Sequence, residues 1–209
     1  MDLGAVLGQA FAGGATGLPE DATATKILDA AVATCAAQGI GELTIDAVAR
    51  RAGVNRVTVY RRFGDRDALL HAMTLREGER MARGILEAID GLEDPVEQLV
   101  EGFAAALRLA EAHPVVRRTA EHEPQDLIAA GLADDAALLR MGSTFAATGV
   151  RRLQDAGRAT HLDPDAVGET MARLFASFVL LPAQHAIDVR TQAGARDYAR
   201  RTLVPLLLG

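Results

Sequence analysis

The chain has 209 residues, 49% of them hydrophobic, which is enough for one or two packed domains. Aromatics make up only 4%, Trp is absent and Ala and Leu dominate, so helices are favoured; no apolar/polar alternation is long enough for a strand. A net charge of −6 argues at first against nucleic acid, and a single cysteine excludes both a disulfide framework and a cysteine metal cluster.

Residues 1–22 are Gly/Ala-rich without periodicity and read as an N-terminal arm or one loose helix. The first regular helix is predicted over 22–38, with Leu28, Ala31, Val32 and Cys35 as its buried stripe and Gly39 at its end. On that stripe Cys35 is either a small core residue or a redox-sensing thiol. A second helix spans 45–52, with Thr44 as its cap and Ile45, Val48 and Ala52 inward. Ala52-Gly53-Val54-Asn55 is a tight turn in which Gly53 supplies a positive φ and Asn55 caps a short third helix, 56–63. Asp65 caps a long amphipathic helix to about residue 90, patterned by Leu69, Leu70, Met73 and Met81. No linker precedes it, so it reads as a rigid connection between two domains.

Asp94-Pro95 is a cap followed by proline at the first helical position. The helix it opens carries Leu99, Phe103, Leu107 and Leu109 and ends near His113. Pro114 starts a short helix that Pro124 breaks, residues 127–132 form a further short turn, and Asp134 or Asp135 opens a longer helix through Leu138, Met141, Phe145 and Leu153. Asp163-Pro164 repeats the cap-plus-proline signal. Val167, Met171, Leu174, Phe178 and Leu181 then make a heptad-like seam that Pro182 ends or kinks. A last helix runs over 191–207, with Tyr198 and a very apolar end.

Residues 44–70 carry most of the functional signal. Two short helices around a glycine turn make a helix-turn-helix. Val59 and Phe63, at i and i+4, seat the second of them, leaving Arg56, Thr58, Tyr60, Arg61 and Arg62 as a basic, hydroxyl-bearing face. The charge distribution agrees: residues 23–83 hold ten basic and seven acidic residues, a net of +3, which leaves −9 for the remainder.

The spacing of Ile27-Leu28-Asp29-Ala30-Ala31, Gly39, Thr44-Ile45-Asp46, Val48-Ala49, Ala52-Gly53-Val54, Thr58-Val59-Tyr60-Arg61-Arg62-Phe63, Arg66 and Leu69-Leu70 resembles the tetracycline-repressor (TetR) family of transcriptional regulators, without a gap over residues 24–75. It departs at Cys35, where the family often has an aromatic residue, and at Arg66, where it often has Lys. The resemblance implies an all-α chain: a three-helix DNA-binding head over 23–70, then a helical ligand-binding and dimerisation domain over 71–209. It implies that Thr44, Tyr60 and Arg66 hold phosphates, while Arg56 pairs with guanine, Thr58 offers a methyl or hydroxyl, and Val57 and Arg61 flank them. With Asn55 and Arg62 these form the set assigned to DNA. Each has a plainer alternative as a solvated side chain, Arg50, Arg51 and Arg62 especially, and Tyr60 as a half-buried packing ring.

The implied partners are a palindromic double-stranded operator, a second copy of the chain and a small hydrophobic effector; no cofactor is implied. A homodimeric repressor released from DNA by that effector is the expected function. Pocket candidates are Phe103, Leu107, Met141, Phe145, Met171 and Phe175; core packing explains each as well. Interface candidates are Val167, Met171, Leu174, Phe178, Leu181 and Tyr198, with filling of the monomer core as the alternative. The competing classes are an enzyme or metal site, for which His113, Glu121, His122, Glu123 and His161 have no motif spacing, and a helical interaction protein that has lost DNA binding. No Lys or Arg precedes Lys26, and the most apolar window, 174–183, is too short to span a bilayer, so no membrane partner and a cytoplasmic location are expected.

Overall fold

The computed structural model of the protein describes residues 21–181 and 188–208, and every regular element among them is helical. Helices α1 (Ala22–Gln38), α2 (Ile45–Ala52), α3 (Arg56–Phe63) and α4 (Arg66–Ile89) form and leave the head. Helices α5 (Pro95–Ala112), α6 (Pro114–His122), α7 (Pro124–Asp155) and α8 (Pro164–Leu180) follow. The C-terminal rod is α9 (Gln192–Tyr198), a π turn (Ala199–Leu203) and α10 (Val204–Leu208). Of the predicted N-terminal arm, residues 1–20 lie outside the described residues; Asp21 and Ala22 are the cap and first residue of α1.

The starts are local chemistry. Asp21 accepts from the N–H groups of Thr23 and Ala24 at 2.9 and 3.0 Å, Asn55 from Val57 at 2.9 Å, and Asp65 from Ala68 at 2.9 Å. Pro95, Pro114, Pro124 and Pro164 each stand at the first helical position, where a missing N–H costs nothing. That rule corrects one expectation. Pro124 ends α6 but also initiates α7, a single helix of 32 residues, so neither the separate turn at 127–132 nor a new start at Asp134 or Asp135 exists. The seam on α8 is shorter than predicted as well. Leu181, which precedes Pro182, is extended at φ −114°, as the proline ring demands of its neighbour, and lies beyond the helix. In the C-terminal rod the Val204 N–H reaches back five residues to the Ala199 carbonyl. This widened turn stands just before Pro205, whose ring would crowd the carbonyl four residues earlier.

Among the described residues two apolar clusters stand out. The head core joins α1, α2, α3 and the first two turns of α4 through Ile27, Val48, Val59, Phe63, Leu69 and Met73. It also takes in Val115 of α6. The body core joins α5 to the C-terminal rod through Val100, Phe103, Leu107, Ala199 and Leu203, with α8 packed against it. Helix α4, about 36 Å long at 1.5 Å per residue, ties the two together.

A polar network fixes α4 against both sides. Arg76 meets Asp29 of α1 at 2.9 Å and Glu77 at 2.8 Å; Arg80 meets Glu77 at 3.1 Å. The His113 Nε2 lies 3.3 Å from Glu77, while its Nδ1 accepts from the Val116 N–H at 3.4 Å, so the Nε2–H tautomer serves both contacts. Burial raises the Glu77 carboxyl, but the His113 hydrogen bond and the charges of Arg76 and Arg80 outweigh it and hold the group below its ordinary value of 4.5. A carboxylate more acidic in the folded than in the unfolded chain stabilises above the unfolded value and stops doing so as pH falls through the folded one. Glu77→Gln therefore costs stability at neutral pH, and denaturant unfolding at stepwise lower pH shows that cost shrinking below 4.5.

Candidate nucleic-acid interface

The turn between α2 and α3 is built as its residues require. Gly53 has φ 64° and ψ 35°, left-handed geometry that costs a side-chain-bearing residue about 1 kcal/mol or more. Its N–H and that of Val54 close the end of α2 on the Arg50 and Ala49 carbonyls, at 3.3 and 3.0 Å. Helix α3 is then seated by Val59 and Phe63, both buried in the head core. The opposite face is open: Val57 is 64% and Tyr60 52% exposed, and Arg56 and Arg61 are exposed beside them. Thr58 is half-buried at the edge of this face. Thr44 is exposed, its hydroxyl oxygen capping α2 through the Ala47 N–H at 3.2 Å while its own proton stays free to donate.

The arginines divide into two kinds. Among the described residues, no ion pair or hydrogen bond engages the side chains of Arg50, Arg51, Arg56 or Arg61. Arg62 instead pairs with the Asp21 carboxylate, stapling α3 to the start of α1. The Ala24 N–H and then Arg62 hold that carboxyl below the ordinary range. Arg66 is more fully committed. Its Nε donates to the Leu43 carbonyl at 2.9 Å, and its Nη2 to those of Ile40 and Gly41 at 2.9 and 3.2 Å. Its Nη1 meets Asp67 at 2.8 Å. The guanidinium expected on a phosphate therefore grips the loop that leads into Thr44, and the fork geometry is what lets one side chain reach three carbonyls. Residues 40–43 carry no periodicity or motif that announces this clamp; the one signal was Arg in place of the family's Lys.

Elsewhere the structure sorts the remaining candidates. Cys35 is fully buried, and burial pushes its thiol up to about 11, so it is a core residue rather than a reactive thiolate. Phe103 and Leu107 are buried in the body core, and Met171, Leu174, Phe175, Phe178 and Tyr198 pack against it. Phe103, Phe178 and Tyr198 form an aromatic triad with centroids 5.3–6.0 Å apart, so two residues expected at a dimer interface pack against the body core of their own protomer, where both stay only partly buried. Met141 crosses α4 at Gly78, its methyl occupying the space a β-carbon would need, which places it in a helix crossing. Phe145 and Val167 are half-buried. Concavities of about 610 and 320 Å3 both lie along α1, the first against Pro114 and Arg117 of α6 and the second against α2, and none of the six pocket candidates lines either. Among the described residues, no three His, Cys, Asp or Glu side chains converge on a metal position and no helix is long and apolar enough to cross a membrane.

Residues 27–73 match the model of the bacterial regulatory proteins of the tetR family. The match covers the helix-turn-helix head and not the helices that follow it. The chain is 32% identical to an HTH-type transcriptional regulator of Mycobacterium tuberculosis over 93 residues, 44% of this chain and 46% of that protein, so this match spans about half the relative's length. A second relative from that organism, the HTH-type transcriptional regulator AlkX, is 28% identical over 76% of this chain and 72% of its own. The crystal structure of the TetR family repressor AlkX from a Dietzia strain, implicated in biodegradation of n-alkanes, superposes with a TM-score of 0.63 at 21% identity. It covers 90% of this chain and 96% of that one, and at this identity the likeness is one of fold.

Proposed function

We propose that this chain is a TetR-family regulator that binds a palindromic duplex as a homodimer and represses transcription until a small apolar effector releases it. The observation that carries the proposal is the open face of α3. Arg56 and Arg61 are exposed and uncompensated there, beside an exposed Tyr60, in an otherwise acidic protein. In this reading Arg56 takes the two acceptor atoms of a guanine, and Arg61, Thr58 and Asn55 lie along the same groove. Tyr60 and Thr44 hold phosphates by their hydroxyls and fix the register. Arg62 and Arg66 shape the reading surface from behind.

One eight-residue helix reads too few bases, which favours two copies on half-sites about 34–36 Å apart. Leu181 and Leu206, 64% and 73% exposed at the ends of α8 and the C-terminal rod, are leucines that a second copy would cover. Sedimentation giving a monomer at micromolar concentration removes the dimer from the reading. The effector would enter the body beside the aromatic triad of α5, α8 and α9, and the alkane association of the Dietzia relative makes a long aliphatic chain the first ligand to try.

Arg56→Ala is expected to cost roughly 1–3 kcal/mol of affinity, to relax preference at one base position and to lower the salt slope by about one. Titration of selected duplexes at several salt concentrations measures all three. Absence of salt-dependent binding to any duplex overturns the reading.

A further inference from the structure

Val57 is the residue of the head that packing does not explain. It is the second residue of α3, and its backbone is pinned because its N–H donates to the Asn55 side chain at 2.9 Å. A β-branched residue restricts χ1 in a helix and is a weaker helix former than Ala, Leu or Lys. Its neighbour Val59 repays that restriction by complete burial, whereas Val57 leaves 64% of its surface in water. It shares that open surface with Tyr60, three residues on, and with Arg56 and Arg61, which have no partner among the described residues. An isolated surface valine among solvated side chains needs no account. Here, however, two stiff methyl groups stand at a fixed place between cations on the one helix shaped for a groove.

We propose that Val57 is a specificity-determining residue that reads thymine through its 5-methyl group. The inference rests on the DNA-binding reading above and deepens it. On the floor of the major groove the thymine methyl is the one apolar group that distinguishes a base edge. A valine cannot donate or accept a hydrogen bond, so whatever sequence it selects, it selects by apolar contact. The methyl-bearing residue expected from the sequence was Thr58, but Thr58 is half-buried, and Val57 is the side chain that stands clear. Each half-site then carries a thymine close to the guanine taken by Arg56.

The test replaces, one symmetric pair at a time, every thymine of a duplex selected by the wild-type protein with deoxyuridine, which lacks only the methyl. One pair is expected to weaken wild-type binding about fourfold per half-site, the value of one buried methyl. The other pairs should change little. Val57→Ala, an exposed substitution that leaves the core intact, should bind the thymine and deoxyuridine duplexes alike. Tight, selective binding with no sensitivity to any methyl overturns the proposal and leaves the DNA-binding reading standing. Sensitivity that survives in Val57→Ala and vanishes in Thr58→Ser also overturns it, and assigns the methyl to Thr58. Failure to bind any duplex sinks both.

Discussion

Arg66→Lys is expected to weaken DNA binding and to destabilise the head while leaving the salt dependence of binding unchanged. The reason is the clamp. Three of the guanidinium's N–H groups hold the carbonyls of Ile40, Gly41 and Leu43, the loop that delivers Thr44 to the start of α2. Lysine keeps the charge but offers a single point donor on a flexible stem, and cannot span those acceptors. Hydrogen bonds from a charged donor are each worth about 1.5–3 kcal/mol when buried. The Arg66 side chain is 38% exposed, so solvent screens much of that and about 2 kcal/mol for the whole clamp is the reasonable expectation. Denaturant unfolding reads the stability, and binding at several salt concentrations reads the slope. A phosphate ligand at this position would behave in the opposite way. Lysine would then serve nearly as well as arginine, and Arg66→Gln would remove about one unit of salt slope without touching stability.

Val115→Asp is expected to unfold head and body together at lower denaturant, by several kcal/mol, with Val115→Ala costing about 2 kcal/mol. Val115 is 5% exposed and belongs to the head's core although it stands on α6, well beyond the helix-turn-helix in sequence. The α6–α7 corner follows it. The Glu123 carboxylate would collide with any β-carbon at Gly39, whose φ of 103° already excludes most other residues. Arg117→Ala, on the exposed side of the same helix, is the control and should be nearly neutral. An unchanged midpoint in Val115→Asp would mean that α6 only rests on the head. If the midpoint falls as expected, the head receives the body's state through α6 as well as through α4. An effector that shifts either helix would then change the set of α3.

The bounds of α2, α3 and α4 were readable because each is fixed by chemistry within a turn of itself: Thr44, Asn55 and Asp65 supply acceptors to orphan amides, and Gly53 supplies a positive φ. The Asp21 cap of α1 was not, because it falls in the aperiodic stretch that reads as an arm. Val59 and Phe63 were readable as seats for α3 because helical periodicity puts them on one side. The long α7 was not, because a proline that stops one helix and starts the next looks the same in sequence as one that only stops.

The destinations of the arginines lay further out of reach. Arg56, Arg61, Arg62 and Arg66 are alike in type and lie within eleven residues, yet two face solvent while Arg62 reaches Asp21 and Arg66 reaches Ile40, Gly41 and Leu43. Periodicity gives the side of a helix on which a residue stands. It does not give which acceptors from distant segments will be waiting there. The same holds for Val115, whose place in the head core depends on how α6 docks, and for Phe178 and Tyr198, whose apolar stripe fits a monomer core as well as a partner. The sequence by itself determined the helix-turn-helix, its caps and its charged character, since these follow from dihedral preferences, local hydrogen bonds and spacing. Only the tertiary structure decided which cations remain free for a ligand, because neutralisation is a contact between segments far apart in the chain and a one-dimensional pattern carries no record of it.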